Sequence, residues 1–217
     1  MPREALIKSL IDEGYLKTPA VIEAFKKIDR ADFVPGNQRE KTYENYPLTI
    51  GSGQTISQPL TVAFMLELLE PKLGEKILDI GTGSGWQAAL LLELVGEQGK
   101  VISIERIPEL KNLAEENLKK FRTEEIPGEP PKNSIEIKLG DGTQGDPANA
   151  PFDKIIAAAA GDTIPTAWKE QLKIGGRIVA PVKQSIYVLD KTGPNEFEER
   201  HYFGFSFVPL VAGSPGR

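Results

Sequence analysis

Residues 76–85, KILDIGTGSG, join a short apolar strand to a glycine-rich turn, and the helical run WQAALLLELVG at 86–96 follows at once. Ile77, Leu78 and Ile80 suit a strand covered on both faces. Gly81, Gly83 and Gly85 let the chain turn sharply and bring backbone close to a ligand. Gly96 closes the helix. Strand, turn and helix together gather N–H groups and a helix N-terminus around one point. Such a point suits an anionic group of a nucleotide-like cofactor.

The glycine spacing is G-x-G-x-G, whereas the dinucleotide fingerprint is G-x-G-x-x-G, with its third glycine needed for close helix–strand packing. Trp86 stands where that glycine belongs, which argues against NAD or FAD. No lysine follows Gly85, so the phosphate-cradling G-x-x-x-x-G-K-[ST] is absent too. A second apolar strand, Lys100–Glu105, ends in a carboxylate about 20 residues past the turn, where a ribose diol would be held. Glu105 can accept both hydroxyl hydrogen bonds. A third strand, Ser134–Leu139, ends in Gly140-Asp141-Gly142, whose aspartate can receive an adenine amino group or another donor. Each feature alone is commonplace, since Asp-Gly is an ordinary turn pair. Three of them at the ends of successive strands favour a cofactor, because ligands bind at the carboxyl ends of an open parallel sheet.

The 217 residues suffice for one sizeable core with an N-terminal appendage. With 40% hydrophobic and 26% charged residues, the composition is that of an ordinary globular protein. A net charge of −5 gives no general attraction to nucleic acid or anionic membranes. No apolar run approaches a membrane span, and the opening MPREALIKSL lacks a signal-peptide layout. With no cysteine, disulfides, thiol nucleophiles and thiolate metal sites are excluded, and a cytoplasmic address is expected. The single histidine, His201, lies in an aromatic, strand-like segment and reads as structural. The chemistry must therefore need no strong protein base.

Apolar stripes at Leu6, Ile7, Leu10 and Ile11, then at Val21, Ile22, Phe25 and Ile28, predict two N-terminal helices. Thr18-Pro19 is expected to open the second as N-cap and first-turn proline. Residues 33–58 read as a loop-rich stretch with little periodicity, and Pro59–Leu69 as an apolar helix. Beyond Pro71, strands are expected at Lys76–Ile80, Lys100–Glu105, Ser134–Leu139, Lys154–Ala158, Gly176–Val182 and Ser185–Asp190, with a last one within Glu196–Val211. Helices are expected at Trp86–Val95, Ile107–Phe121 and Thr166–Leu172. The alternation implies an α/β fold: a doubly wound, mostly parallel, seven-stranded Rossmann-like sheet with helices on both faces. The final strands have no helix between them, so an antiparallel edge is expected. Residues 122–133 (RTEEIPGEPPKN) read as an exposed loop. A single domain is expected, with a substrate-side extension at 1–70 and a cofactor core at 71–217.

KILDIGTGSGWQ resembles the first signature of class I S-adenosylmethionine-dependent methyltransferases, and VISIERIPEL, LGDGTQG and LKIGGRIVAPV resemble those that follow. More restrictive is GSGQTISQP at 51–59, which resembles the hallmark of protein-L-isoaspartate O-methyltransferases. FVP at 33–35, APFD at 150–153 and FVPLV at 207–211 extend the likeness over nearly the whole chain. The AAAAGD run at 157–162 departs from the family's usual TAA-like segment. By resemblance, the methyl group of S-adenosyl-L-methionine passes to the side carboxyl of isoaspartyl residues in damaged proteins and peptides. Ser57 is then the catalytic serine, donating to one carboxylate oxygen while the other attacks. Gln54, Thr55 and Ile56 line the same junction. Gly81, Thr82, Gly83 and Gly85 hold the methionine end, Glu105 the ribose and Asp141-Gly142 the adenine, while Val211 covers the site. No metal, nucleic-acid or membrane partner is expected, and a monomer is.

A carboxylate is already ionised at neutral pH, with a reference pKa of about 3.9 for Asp, so this transfer needs alignment and no base. The acceptor could instead be a nucleic-acid base or a small molecule. Base-amino methyltransferases, however, carry [DN]-P-P-[YF] where this chain reads AAAAGDTIP. A non-catalytic sensor and an NAD-linked oxidoreductase are the remaining alternatives. Intact glycine, Glu105, Asp141 and Ser57 positions weigh against the first, and Trp86 against the second.

Overall fold

A computed structural model describes residues 1–121 and 134–213; the loop expected at 122–133 lies outside them. Its chain order begins with α1 (Arg3–Asp12), α2 (Pro19–Lys27), β1 (Leu48–Gly51), β2 (Gln54–Ile56) and α3 (Pro59–Leu69). The strand–helix alternation follows: β3 (Lys76–Ile80), α4 (Trp86–Val95), β4 (Lys100–Glu105), α5 (Pro108–Leu118), β5 (Ser134–Leu139) and β6 (Phe152–Ala157). Last come β7 (Ala159–Ala160), α6 (Thr166–Gln171), β8 (Leu172–Val182), β9 (Ser185–Lys191), β10 (Phe197–Phe203) and β11 (Val208–Pro209).

Seven strands form one sheet in the order β10-β9-β8-β6-β3-β4-β5. β3 pairs in parallel with both β4 and β6, β4 with β5, and β6 with β8. β9 and β10 run antiparallel, as the missing helices between them require. The chain leaves β3 towards β4 and β5, then returns to place β6 on the other side of β3. The carboxyl end of β3 is thus a topological switch point, where open α/β sheets hold ligands.

The alternation of side chains along the strands fills two cores. Ile77, Val101, Ile135, Ile156 and Val179 join α1 to α5 on one face. Leu78, Ile80, Ile102, Ile104, Ile155 and Ile178 join Trp168 of α6 on the other. Helix α4 is buried at nine of its ten positions because α2 packs over it, which explains a sequence apolar almost all round.

Three local features differ from expectation. The stretch 33–58 contains the antiparallel β1–β2 pair, with Leu48, Ile50 and Ile56 turned into the core. Thr18 precedes α2 but makes no side-chain cap; its hydroxyl donates to Glu67 Oε2 at 2.7 Å. A charge-assisted bond to a carboxylate outcompetes the weak N-cap contact. Finally, the segment after β6 pairs in parallel with the C-terminal β11. Among the described residues no helix is long and apolar enough to cross a membrane.

Candidate active site

At the switch point the sheet ladder continues into the loops: Gly81 N–H donates to Ile104 O at 2.9 Å, and Ala158 N–H to Ile80 O at 2.8 Å. Between these loops lies a slot whose floor includes Gly81, Gly83, Glu105 and Gly142. Ile104, Ile107 and Leu110 give it an apolar wall, and Val208–Val211 form its roof. The roof is tied down by the β7–β11 pairing and by Leu210 N–H donating to Ala160 O at 2.8 Å.

Glu105 is nearly buried, and its carboxylate is oriented by backbone on both oxygens. Gly83 N–H donates to Oε2 at 2.9 Å, while Arg106 and Ile107 N–H donate to Oε1 at 2.9 and 3.0 Å. The acidic side chain and the glycine turn are thus one rigid unit. Gly142 sits so close to β3 that a Cβ would lie 2.5 Å from Ile80 Cγ2. Its carbonyl accepts the Trp168 indole N–H at 2.8 Å, which fixes the loop beside the slot.

Asp141 does not line the slot. Its Oδ1 accepts from Thr143 N–H at 2.9 Å and Thr143 Oγ1 at 2.7 Å, and its Oδ2 accepts Gly213 N–H at 2.7 Å. Partial burial works to raise its pKa, but the hydrogen bonds from Gly213 and Thr143 prevail and hold it below the usual carboxylate range. Asp141 thereby joins the β5 loop to the C-terminal segment that roofs the slot.

Gly85 also stands back from the slot. It takes φ +95° as the N-cap of α4, with Leu118 side-chain atoms 3.1 Å from where a Cβ would be. Thr82 turns inward: its hydroxyl meets Ser103 Oγ at 2.6 Å, Ser103 donates to Asp79 Oδ2 at 2.7 Å, and Gln87 Nε2 donates to Asp79 Oδ1 at 2.7 Å. Asp79 is fully buried. Desolvation, only partly offset by these two donors, raises its pKa from 3.8 to about 6.

Ser57 follows β2 and lines a second space, a cleft of about 750 Å³ that opens beside the slot. Tyr15, Gln58, Thr61 and the 203–208 segment are among its other walls, and among the described residues no charged side chain lines it. Thr55, Ala158 and Val208 belong to both spaces, so they form the partition between them. Gln54 lines the slot beside Thr55. Ile56 is buried, and with Ser57, Thr82 and Gly83 it borders a small recess between the two spaces. The AAAAGD run supplies Ala158 and Ala159 to the slot wall, where larger side chains would narrow it. His201 is exposed on β10 and stacks on Tyr187, with ring centroids 5.3 Å apart; it lines neither space.

Two groups of residues escape sequence reasoning. One is the apolar wall of Ile104, Ile107 and Leu110, whose only signal is core-like periodicity. The other is Arg30, buried beneath Ser57, where its guanidinium donates to Ser57 O at 3.0 Å.

The geometry combines a switch-point slot with a neutral, hydroxyl-lined cleft. The sequence profile described as protein-L-isoaspartate(D-aspartate) O-methyltransferase matches residues 1–215. A protein-L-isoaspartate O-methyltransferase of Ignicoccus hospitalis is 44% identical over 214 residues, covering 96% of this chain and 97% of that protein. One from Methanopyrus kandleri is 42% identical over 213 residues, covering 96% and 91%. A solved protein-L-isoaspartate O-methyltransferase superimposes with a TM-score of 0.84 at 27% identity, over 99% of this chain and 67% of that one. The fold is also that of a Plasmodium falciparum structure in complex with S-adenosyl-L-homocysteine, with a TM-score of 0.82 at 22% identity over 97% and 99% of the two chains. On its sequence and its architecture together, the chain belongs to the protein-L-isoaspartate(D-aspartate) O-methyltransferase family.

Proposed function

We propose that this chain moves a methyl group from S-adenosyl-L-methionine to the pendant carboxyl of L-isoaspartyl residues in damaged proteins and peptides. The products are a methyl ester and S-adenosylhomocysteine. The observation that carries the reading is the partition at Thr55, Ala158 and Val208, across which a serine-bearing cleft meets a glycine-floored slot.

The slot's residues fit the cofactor. Glu105 is a buried carboxylate held in place by three N–H donors, ready to accept from a diol. The Ile104–Ile107–Leu110 wall suits a flat apolar ring, and Gly142 leaves backbone beside it. When bound there, S-adenosylmethionine supplies a methyl group activated by its sulfonium. Ser57 orients the acceptor carboxylate by donating from its hydroxyl to one oxygen. The neutral cleft replaces water with hydroxyl and aromatic walls, so the acceptor loses hydration without gaining a competing ion pair. Alignment then supplies the rate: oriented intramolecular reactions show that roughly 7–11 kcal/mol is available from this source. No residue has to take a proton, which agrees with His201 lying outside the site.

Residues 1–70 serve the substrate side, although Gln54 and Thr55 also reach the slot, and the later residues form the cofactor core, with 203–208 also walling the cleft. The protein acts as a cytoplasmic monomer on peptides and proteins, and its net charge of −5 is unsuited to nucleic acid. The test uses methyl-labelled S-adenosylmethionine and two peptides that differ only in isoaspartate against aspartate. A base-labile methyl ester on the isoaspartyl peptide alone is expected. Equal labelling of both, or of neither, overturns the reading.

A further inference from the structure

Arg30 is 2% exposed, and its guanidinium hydrogen-bonds to backbone carbonyls from two separate segments. Nη1 donates to Thr42 O at 2.5 Å and Glu44 O at 3.4 Å, while Nη2 donates to Tyr46 O at 3.2 Å and Ser57 O at 3.0 Å. None of these partners is a carboxylate. The same guanidinium lies 5.4 Å from the centroid of Trp86, the first residue of α4, and Trp86 in turn packs edge-on against Phe25 at 5.6 Å. No carboxylate among the described residues pairs with it, and burial depresses the Arg30 pKa to about 10, so the group remains a cation at neutral pH.

A buried cation lacking a carboxylate partner is an expensive way to stabilise a loop. Residues 42–46 and 57 are irregular backbone, and their carbonyls must be satisfied when buried. A planar five-donor fork reaches four carbonyls on two segments at once; an ammonium has only three donors. Gln58 and Asn45 lock the same junction from the other side: Gln58 Nε2 donates to Asn45 O at 2.9 Å, and Leu60 N–H donates to Asn45 Oδ1 at 3.0 Å. Arg30 therefore fixes the peptide unit of Ser57 against the helix that starts at the glycine turn.

We infer that Arg30 is a positioning residue for methyl transfer, setting where the Ser57 hydroxyl meets the acceptor carboxylate relative to the cofactor slot. The inference rests on Ser57 orienting the acceptor. Arg30 acts through the Ser57 carbonyl and through the Trp86 face, so it bears on alignment and leaves the slot's own contacts intact. A misplacement of about 1 Å at a reacting centre costs on the order of 100-fold in rate.

The test is a double-mutant cycle. Arg30→Met removes every donor, and Arg30→Lys keeps the charge but loses the fork, giving a milder variant should the first fail to fold. Turnover on the isoaspartyl peptide is measured below the melting temperature of each variant, with S-adenosylhomocysteine affinity measured by calorimetry. The expected result is a kcat at least tenfold lower for Arg30→Lys, S-adenosylhomocysteine affinity within about twofold of wild type, and no further loss when Arg30→Lys is added to Ser57→Ala. If kcat of the folded Arg30→Lys protein equals wild type, or if Arg30→Lys costs the same factor with and without Ser57, Arg30 is only structural and the inference is overturned. If Ser57→Ala itself keeps full turnover, the orienting role of Ser57 fails first, and that failure is distinguishable.

Discussion

The N–H of Gly83 donates to Oε2 of Glu105 at 2.9 Å, tying the turn after β3 to the last residue of β4. With Oε1 occupied by Arg106 and Ile107 N–H, the one remaining lone pair of Oε2 is left for a ribose hydroxyl. Glu105→Ala removes both the acceptor and the clamp on the turn. S-adenosylmethionine affinity, read by calorimetry, should fall at least tenfold in a protein that remains folded; an unchanged affinity would refute the ribose role.

Ser57 lines the cleft and the inner recess but is absent from the slot wall. Ser57→Ala should therefore bind S-adenosylmethionine as wild type does while losing most methyl transfer, at least tenfold in kcat. Single-turnover labelling of the isoaspartyl peptide checks this, and near-wild-type turnover removes Ser57 from the mechanism.

Gly85 takes φ +95°, and a Cβ there would meet Leu118 at 3.1 Å. A left-handed conformation costs an L-residue about 1–2 kcal/mol, to which the crowding against α5 adds. Gly85→Ala should lower stability by about 2–3 kcal/mol in denaturant unfolding. A loss under 0.5 kcal/mol would mean that the turn relaxes.

The parallel strands were legible from apolar runs followed by turn signals, as in KILDIGTG, or from apolar–polar alternation, as in SIEIKL. The β1–β2 pair was not, because strands of four and three residues carry too few positions for a period to show. β7 and β11 pair two residues each across nearly fifty positions of chain, a contact with no local signature. At the site, residues marked by type and place could be named: Glu105 at a strand end, Ser57 in TISQP. Arg30 could not, since RADF reads as an ordinary surface turn until Ser57 and Trp86 fold around it. Asp141 is a case between these: its position was legible, but its bond to Gly213 was not.

The slot's roof is the C-terminal segment, held by Leu210 N–H on Ala160 O and by Gly213 N–H on Asp141 Oδ2. A chain ending at Phe207 keeps all seven strands of the main sheet and Phe203–Phe207 of the cleft, but loses the roof. Its S-adenosylmethionine affinity should drop at least tenfold, with far-ultraviolet dichroism unchanged. Equal affinity would show that the roof contributes nothing to binding.

Asp79 makes stability depend on pH in a direction opposite to that of an ordinary paired carboxylate. Its pKa is about 6 in the fold against 3.8 for the unperturbed group, so the folded state binds the extra proton. Well below pH 3.8 both states are protonated and no penalty exists. As pH rises from about 4 to 6, the unfolded chain ionises readily while the buried group resists, and stability falls by about 2–3 kcal/mol. Asp141, Asp146, Asp153 and Asp190, whose pKa values are lowered, act the other way, so the total curve hides the effect. Comparison with Asp79→Asn, neutral at every pH, isolates it. The stability of wild type minus that of the variant, from urea unfolding, should be about 2–3 kcal/mol more favourable to wild type at pH 4 than at pH 7. A difference that stays flat across this range would mean that Asp79 titrates as an exposed carboxylate, and that the Thr82–Ser103–Asp79 chain beneath the glycine turn is already charged at pH 4.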